Sequence, residues 1–125
     1  MWRETWQRRR RVLGEDHPGT LIAAAHYCRI LIRMNRAAQA RPLLADVHKR
    51  QQKIFGSDNP DVLSTYLSLA VALYRVGKVG RARHVADSVM AGYRRKFGEG
   101  ADQVRDAEEQ LKPILRVKSR PSKRR

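Results

Sequence analysis

The feature that most constrains the fold of this chain is a repeat with a period of 42 residues. Gly14, Gly56 and Gly98 are evenly spaced, and residues 12–53 align with residues 54–95 without a gap. Nine aligned positions are identical, namely Gly14/Gly56, Asp16/Asp58, Pro18/Pro60, Leu21/Leu63, Leu31/Leu73, Arg33/Arg75, Ala40/Ala82, Arg41/Arg83 and Val47/Val89. Self-similarity at a period of this length is typical of a solenoid, in which each unit packs on its neighbours.

Apolar residues within each unit recur at steps of three and four, which predicts amphipathic helices. In the second unit, Leu63, Tyr66, Ala70 and Leu73 follow this spacing. A unit of two such helices cannot bury its apolar stripe alone, so neighbouring units are expected to stack. Helices are predicted over residues 2–13, 18–34, 37–55, 60–76, 79–97 and 101–116.

The repeated glycines, prolines and polar residues predict how the helices begin and end. The glycines that follow each helical run fit left-handed C-terminal caps. Pro18 and Pro60 suit the first turn of the next helix, where the missing N–H has no cost. Asp16, Asp58 and Asn59 are expected to accept hydrogen bonds from the free N–H groups at these helix starts.

Together these elements predict an all-α fold, an α-solenoid of antiparallel helix pairs. The divisions expected along the chain are a helix B remnant of a preceding repeat at residues 1–13, repeat 1 at 14–55, repeat 2 at 56–97, a C-terminal capping helix at 98–117 and a basic disordered tail at 118–125. Two full units are fewer than a solenoid usually needs. We therefore expect part of a longer repeat array, or self-association through the N-terminal helix, where Trp2 and Trp6 would otherwise leave an exposed apolar face.

The junctions between units resemble those of a known repeat family. Residues 14–21 read Gly-Glu-Asp-His-Pro-Gly-Thr-Leu and residues 56–63 read Gly-Ser-Asp-Asn-Pro-Asp-Val-Leu, and both are similar to junctions of kinesin-light-chain-type tetratricopeptide repeats. Residues 40–44 are similar to the second helix of that unit, which tolerates a proline at the position of Pro42. The resemblance covers residues 1–116 and implies a right-handed superhelix that binds proteins.

In this architecture the first helix of each unit lines the concave face, which is therefore the candidate binding groove. The residues expected there are Ile22, Ala25, His26, Arg29 and Arg33 from unit one, Ser64, Leu67, Ser68, Val71 and Arg75 from unit two, and Asp106, Glu109, Gln110 and Pro113 from the last helix. Arginine donates paired hydrogen bonds to carboxylates, so the arginines predict an acidic peptide or helix as the ligand. The alternatives are that they are solvated or that they pair with Asp106 and Glu109.

The net charge of +15 at pH 7 permits a second interpretation. Residues 1–11 and 117–125 together hold ten basic residues and one acid, so the two ends carry most of the excess charge. Non-specific binding of nucleic acid or of an anionic surface through these ends is the alternative to protein binding. No aromatic residues interleave with the groove arginines for base stacking, which favours the protein-binding interpretation.

The sequence contains no pattern typical of catalysis, cofactor binding or metal binding. No two histidines share a helix face at close spacing, and His17 is expected to cap a helix. Ser64 and Ser68 have no acid–base partner nearby in the sequence, and Cys28 occupies a small position expected in the core. We therefore expect a cytoplasmic protein with no enzymatic activity, no cofactor, no metal and no membrane span, in which the single cysteine forms no internal disulfide.

Overall fold

The structure, a computed structural model, describes residues 2–117, which form six helices and no strand. The helices are α1 (Trp2–Leu13), α2 (Pro18–Arg33), α3 (Ala37–Phe55), α4 (Pro60–Arg75), α5 (Val79–Phe97) and α6 (Asp102–Leu115). Each predicted boundary agrees with the structure to within one residue, and α3 continues through Pro42. The tail predicted at residues 118–125 lies outside the described residues.

The turn inside each unit is closed by the same long backbone hydrogen bond. The N–H of Arg36 donates to the carbonyl of Leu31 at 2.8 Å, and the equivalent bond in the second unit measures 2.9 Å. This six-residue reversal requires a residue with positive φ. Asn35, at 63°, and Gly77, at 87°, supply it, which explains why the chain turns back sharply after α2 and after α4.

The glycines at the ends of α1, α3 and α5 also have positive φ, as the repeat predicts. Their φ values are 94° for Gly14, 85° for Gly56 and 94° for Gly98. The ψ values of Gly56 and Gly98 are 163° and 155°, however, so both are extended rather than left-handed helical. The predicted cap is right in the sign of φ and wrong in ψ, and glycine is the residue that adopts this conformation without strain.

Side-chain caps start α2 and α4. The ring Nδ1 of His17 accepts a hydrogen bond from the N–H of Gly19 at 3.0 Å. In the second unit, Oδ1 of Asn59 accepts one from the N–H of Asp61 at 2.8 Å. The cap predictions for His17 and Asn59 are therefore confirmed.

The cap predictions for Asp16 and Asp58 are wrong. Asp16 pairs with Arg50 at 2.5 Å, and Asp58 pairs with Arg95 at 2.9 Å. Each carboxylate pairs with an arginine near the end of the second helix of its own unit, and a charge-assisted bond to arginine is stronger than a bond to a neutral N–H. The neighbouring residues His17 and Asn59 cap the helix starts instead.

Consecutive helices pack side by side along the chain, so the units form a single stack. In addition α2 contacts α4 and α4 contacts α6, whereas α1, α3 and α5 make no such contacts with one another. The helices α2, α4 and α6, which we call the A-type helices, thus form one closely spaced layer, whose outward surface we call the A-helix face. The helices α1, α3 and α5, which we call the B-type helices, form the second layer.

The core is built from positions that are equivalent in the two units. Leu31 and Leu73 are 5% and 1% exposed, and Ala40 and Ala82 are fully buried. Cys28 is also fully buried, with its Sγ 3.8 Å from the carbonyl oxygen of Ala40. Small residues at these positions let the paired helices approach closely, and the prediction that Cys28 is a buried core residue is confirmed.

Two aromatic stacks hold α1 against α2. The rings of Trp6 and Tyr27 lie 5.6 Å apart between centroids, and those of Trp2 and His26 lie 4.4 Å apart. Both tryptophans are half-buried in this way, so the expectation that they form an exposed apolar face is corrected. The exposed apolar side chains of α1 are at its other end, where Val12 is 73% exposed and Leu13 is 45% exposed.

Replacement of Leu73 by alanine should lower the free energy of unfolding by about 2–5 kcal/mol, because it leaves a cavity between α4 and its neighbours. Urea denaturation followed by circular dichroism measures the loss. The control is Tyr74→Ala at the next position, whose side chain is 37% exposed. A loss for Leu73→Ala no larger than for the control would contradict the packing described above.

Candidate functional site

A shallow cavity of about 210 Å³ lies on the A-helix face between α2 and α4 and reaches α5 and α6. We call it the groove, and its lining residues are Arg29, Ile32, Arg33, Ser64, Leu67, Ser68, Val71, Tyr93 and Gln110. Seven of these nine belong to the set expected from the sequence, and Ile32 and Tyr93 do not. The groove therefore combines residues from both units and from the last helix.

Arg29 occupies the centre of the hydrogen bonds that join α2 to α4 in the groove. Its Nη2 donates to Oγ of Ser64 at 2.7 Å, and its Nε donates to Oγ of Ser68 at 3.3 Å. Its Nη1 lies 3.3 Å from Nδ1 of His26. Ser68 in turn donates to the backbone carbonyl of Ser64 at 3.2 Å. The guanidinium group is thus fixed in position by neutral acceptors.

The charge of Arg29 is partly buried and has no ion-pair partner among residues 2–117. Burial lowers its pKa below the usual range, although Tyr93, Cys28 and Asp61 nearby act in the opposite direction. Arginine carries five N–H donors, and the three contacts with neutral groups leave two of them for a further acceptor. A desolvated cation with unused donors attracts an anion more strongly than a solvated one.

The other groove residues place apolar groups beside this cation. Leu67 and Val71 of α4 lie next to Ile32 of α2, and Tyr93 of α5 closes one side. Burial raises the pKa of the Tyr93 phenol. Arg33, one turn after Arg29, is exposed at the rim. The groove can therefore hold a segment that presents both a carboxylate and an apolar side chain.

Several residues expected in the groove lie elsewhere. Ala25 of α2 is 3% exposed and packs in the core with Val47 of α3, so the prediction that Ala25 lines the groove is wrong. Ile22 is exposed but does not line the cavity, and His26 faces Trp2 as well as Arg29. A helix exposes only a narrow stripe, so neighbours in the sequence cannot all reach one surface.

Arg75 lies at the end of α4 rather than in the cavity. Its Nη1 donates to the backbone carbonyl of Ile32 at 3.5 Å, which places it against the end of α2. The same carbonyl also accepts the backbone N–H of Asn35 at 3.0 Å, so Arg75 adds a second, longer contact at the C-terminus of α2. Arg75 therefore marks the boundary of the groove.

The last helix contributes less to the groove than expected. Gln110 lines the cavity, whereas Asp106, Glu109 and Pro113 are exposed and do not. Within residues 2–117, neither Asp106 nor Glu109 forms an ion pair with a groove arginine. The alternative in which these acids neutralise the arginines is therefore not seen.

The sequence did not predict Ile32 and Tyr93 in the groove, because their place there depends on how the helices pack and not on residue spacing. Ile32 reads as a core residue of α2, and it is 7% exposed. Tyr93 belongs to a B-type helix, which the prediction assigned to the other layer. The contact of Arg29 with Ser64 and Ser68 could have been inferred from the repeat. Val71 of α4 is the repeat equivalent of Arg29, and Ser68 and Ser64 lie one and two turns before it.

No other cluster in the described part of the chain resembles a chemical centre. No group of three His, Cys, Asp or Glu residues among residues 2–117 could hold a metal ion. Burial raises the pKa of the Cys28 thiol to about 12, so it is not a reactive thiolate at neutral pH. None of the six helices has both the length and the apolar character needed to cross a membrane.

Comparison with known proteins identifies one family. A family model described as tetratricopeptide repeat matches residues 21–95, which run from α2 to the last turn of α5. A second model with the same description matches residues 1–19, which contain α1. No curated protein matches the chain.

Acidification should destabilise the protein through two histidines. Burial lowers the pKa of His26, with a further contribution from Arg29, and burial lowers the pKa of His48, whose ring stacks on Tyr66. The unfolded chain then binds these protons at higher pH than the folded one, so the free energy of unfolding should fall as the pH drops through 6.5. Asp58, held at a lowered pKa by Arg95, begins to matter only near pH 3.8 and below.

The measurement is urea unfolding at about pH 7.5 and at about pH 5. The double variant His26→Gln and His48→Gln should show a smaller difference between the two conditions than the parent protein. The matched control is His84→Gln, at an exposed position, which should keep the parent difference. An equal difference in all three proteins would show that other groups cause the pH dependence.

Proposed function

The chain belongs to the tetratricopeptide repeat family, and from this premise we propose that it is a non-enzymatic scaffold that binds an acidic segment of a partner protein in the groove. Tetratricopeptide repeats generally mediate protein–protein interactions. The single observation that carries the finer proposal is the Arg29 guanidinium, which is partly buried, fixed by Ser64 and Ser68, and unpaired with any acid among residues 2–117.

The spacing of the helices supports placing the ligand on the A-helix face. The layer α2, α4 and α6 is closely spaced, whereas the backbones of α1, α3 and α5 lie farther from one another. In a curved stack, the closer layer is on the inside of the curve. The A-helix face is then the concave one, and a concave surface buries a larger share of a bound segment than a convex one does.

The chemistry of the groove supports an acidic segment with an apolar neighbour. A carboxylate would take the two free donors of Arg29, and Arg33 would strengthen the local positive potential. An apolar side chain one or two residues away would contact Leu67, Val71 and Tyr93. Because Arg29 is already held in place, little side-chain entropy is lost when the ligand binds.

Two finer assignments belong to the same proposal. The period of 42 residues and the junction sequences support the kinesin-light-chain-type subclass. The single cysteine, buried and with a raised pKa, is consistent with a cytoplasmic protein that relies on no disulfide.

Peptides selected for binding from a random-peptide library should be enriched in Asp and Glu, since a carboxylate is the acceptor that best satisfies Arg29. Arg29→Gln should weaken their binding by about 10- to 100-fold, which corresponds to the loss of about 1.5–3 kcal/mol for a charge-assisted hydrogen bond. Isothermal titration calorimetry measures the affinities. Arg41→Gln, which makes the same change in charge on α3 outside the groove, is the matched control.

A second pair of variants keeps the test informative if Arg29→Gln is poorly folded. Arg33→Glu with Arg75→Glu reverses the charge at the groove boundary, and Lys49→Glu with Lys53→Glu makes the same net change on α3. The first pair should weaken binding more than the second. Selected peptides with no excess of acid, or equal losses in both pairs, would remove the groove from consideration as the binding site.

A further inference from the structure

The fold separates the charges of the chain onto two opposite edges. We define the turn edge as residues 33–41, 75–83 and 112–117, which are the last turns of α2, α4 and α6 and the first turns of α3 and α5. It contains no Asp or Glu, and its basic residues are Arg33, Arg36, Arg41, Arg75, Lys78, Arg81, Arg83, Lys112 and Arg116. The loop edge, residues 10–18, 50–60 and 94–102, carries seven basic and five acidic residues.

Side-chain contacts show that the three segments of the turn edge lie together. Arg75 at the end of α4 bonds to the carbonyl of Ile32 near the end of α2. Arg83 near the start of α5 bonds to the carbonyls of Leu115 and Val117, both at 2.5 Å, at the end of α6. The successive helix ends therefore form one continuous row. On the opposite side, the loop edge is joined by ion pairs between its own segments.

The two edges differ in how far their charges are neutralised. On the loop edge, Arg50 pairs with Asp16 and Glu15, and Arg95 pairs with Asp58. Within the described turn edge, the one ion pair is that of Arg83 with Asp87, a residue just outside it. Most of the turn-edge cations therefore face solvent without a counter-charge, although acidic residues are present elsewhere in the protein.

The repeated helix starts at the turn edge make this arrangement unfavourable for the isolated protein. Arg36 and Lys78 are the N-cap residues of α3 and α5, neither forms a side-chain cap, and neither helix has an acid in its first turn. A cation at a helix N-terminus opposes the helix dipole, where an acid would stabilise it. Both units place a cation at the equivalent N-cap position, so a bound anion would stabilise the start of both helices.

We infer that the turn edge is a second interaction surface, which adjoins the groove at Arg33 and Arg75 and extends beyond it, and that it binds the phosphate backbone of a nucleic acid. The cations recur with the repeat along a row, which suits a linear polyanion better than a compact one. Seven of the nine are arginines, whose fork matches a phosphate. The turn-edge segments contain no Trp, Tyr or Phe, so binding is independent of base sequence and involves no base stacking.

The turn edge places a basic surface on the body of the fold rather than at the chain ends. The sequence alone had assigned most of the excess charge to residues 1–11 and 117–125.

A lipid bilayer and an acidic protein fit the turn edge less well. Attachment to a bilayer is strengthened by apolar side chains that enter it. Among the turn-edge residues, Met34 is the large hydrophobic side chain that is strongly exposed, at 55%. A protein interface usually has an apolar centre with arginines around it. The turn edge offers a row of cations without such a centre.

Fluorescence anisotropy of a labelled duplex DNA of arbitrary sequence, titrated with the full chain at several salt concentrations, tests the inference. The charge-reversal pair Arg36→Glu and Lys78→Glu should weaken binding by about tenfold or more and reduce the slope of log K against log salt by about 2. The matched control is Lys53→Glu with Lys96→Glu on the loop edge, which makes the same change in net charge. It should weaken binding by less than about threefold.

Each outcome of this experiment decides the matter. Equal weakening in both pairs would show that net charge alone attracts DNA, and it would overturn the inference. So would tighter binding of the parent protein to vesicles of phosphatidylserine than to DNA. Arg36 and Lys78 do not line the groove, so peptide affinity in this pair should equal that of the parent protein. A turn-edge effect without a peptide effect thus separates this surface from the proposed function. Thermal unfolding verifies that both pairs are folded.

Discussion

The burial of each helix pair's apolar stripe against its neighbours is the interaction on which the rest of the structure depends. Leu31 and Leu73, with Ala40 and Ala82, occupy equivalent positions and are almost completely removed from water. They belong to one apolar cluster that runs from α2 through α6, so the two units share a core, beside a smaller cluster of α2 and α3 residues in unit one. Stability in such a stack is a sum of nearest-neighbour terms, and each helix is ordered only because the next one covers it.

The candidate sites follow from this stacking rather than from any local motif. Arg29 can be held by Ser64 and Ser68 only because α2 and α4 lie in contact along the A-helix face. The turn edge likewise exists because every A-type helix ends on the same side of the stack. Equivalent positions of successive units therefore lie side by side on the surface. A basic residue that recurs at one such position forms an extended charged row.

Helix positions could be predicted from the sequence, whereas side-chain partners could not. The period of 42 residues fixed the helices to within one residue, because turn and cap residues recur with it. The partners of Asp16 and Asp58 were missed because they depend on how far Arg50 and Arg95 reach from another helix. Gly92 shows the same limit: it replaces a repeat position occupied by Arg50, and a Cβ there would lie 2.5 Å from Leu63, a contact that no periodicity reveals.

The central claim is that neighbouring units are ordered by one another. Amide hydrogen exchange of the variant Leu31→Ala, followed residue by residue, tests it most directly, because Leu31 lies in unit one and packs in the cluster shared with α4. Coupled units require protection to fall in α4 of unit two as well as in α2 and α3. Loss of protection confined to α2 and α3, with α4 and α5 unchanged, would contradict the claim.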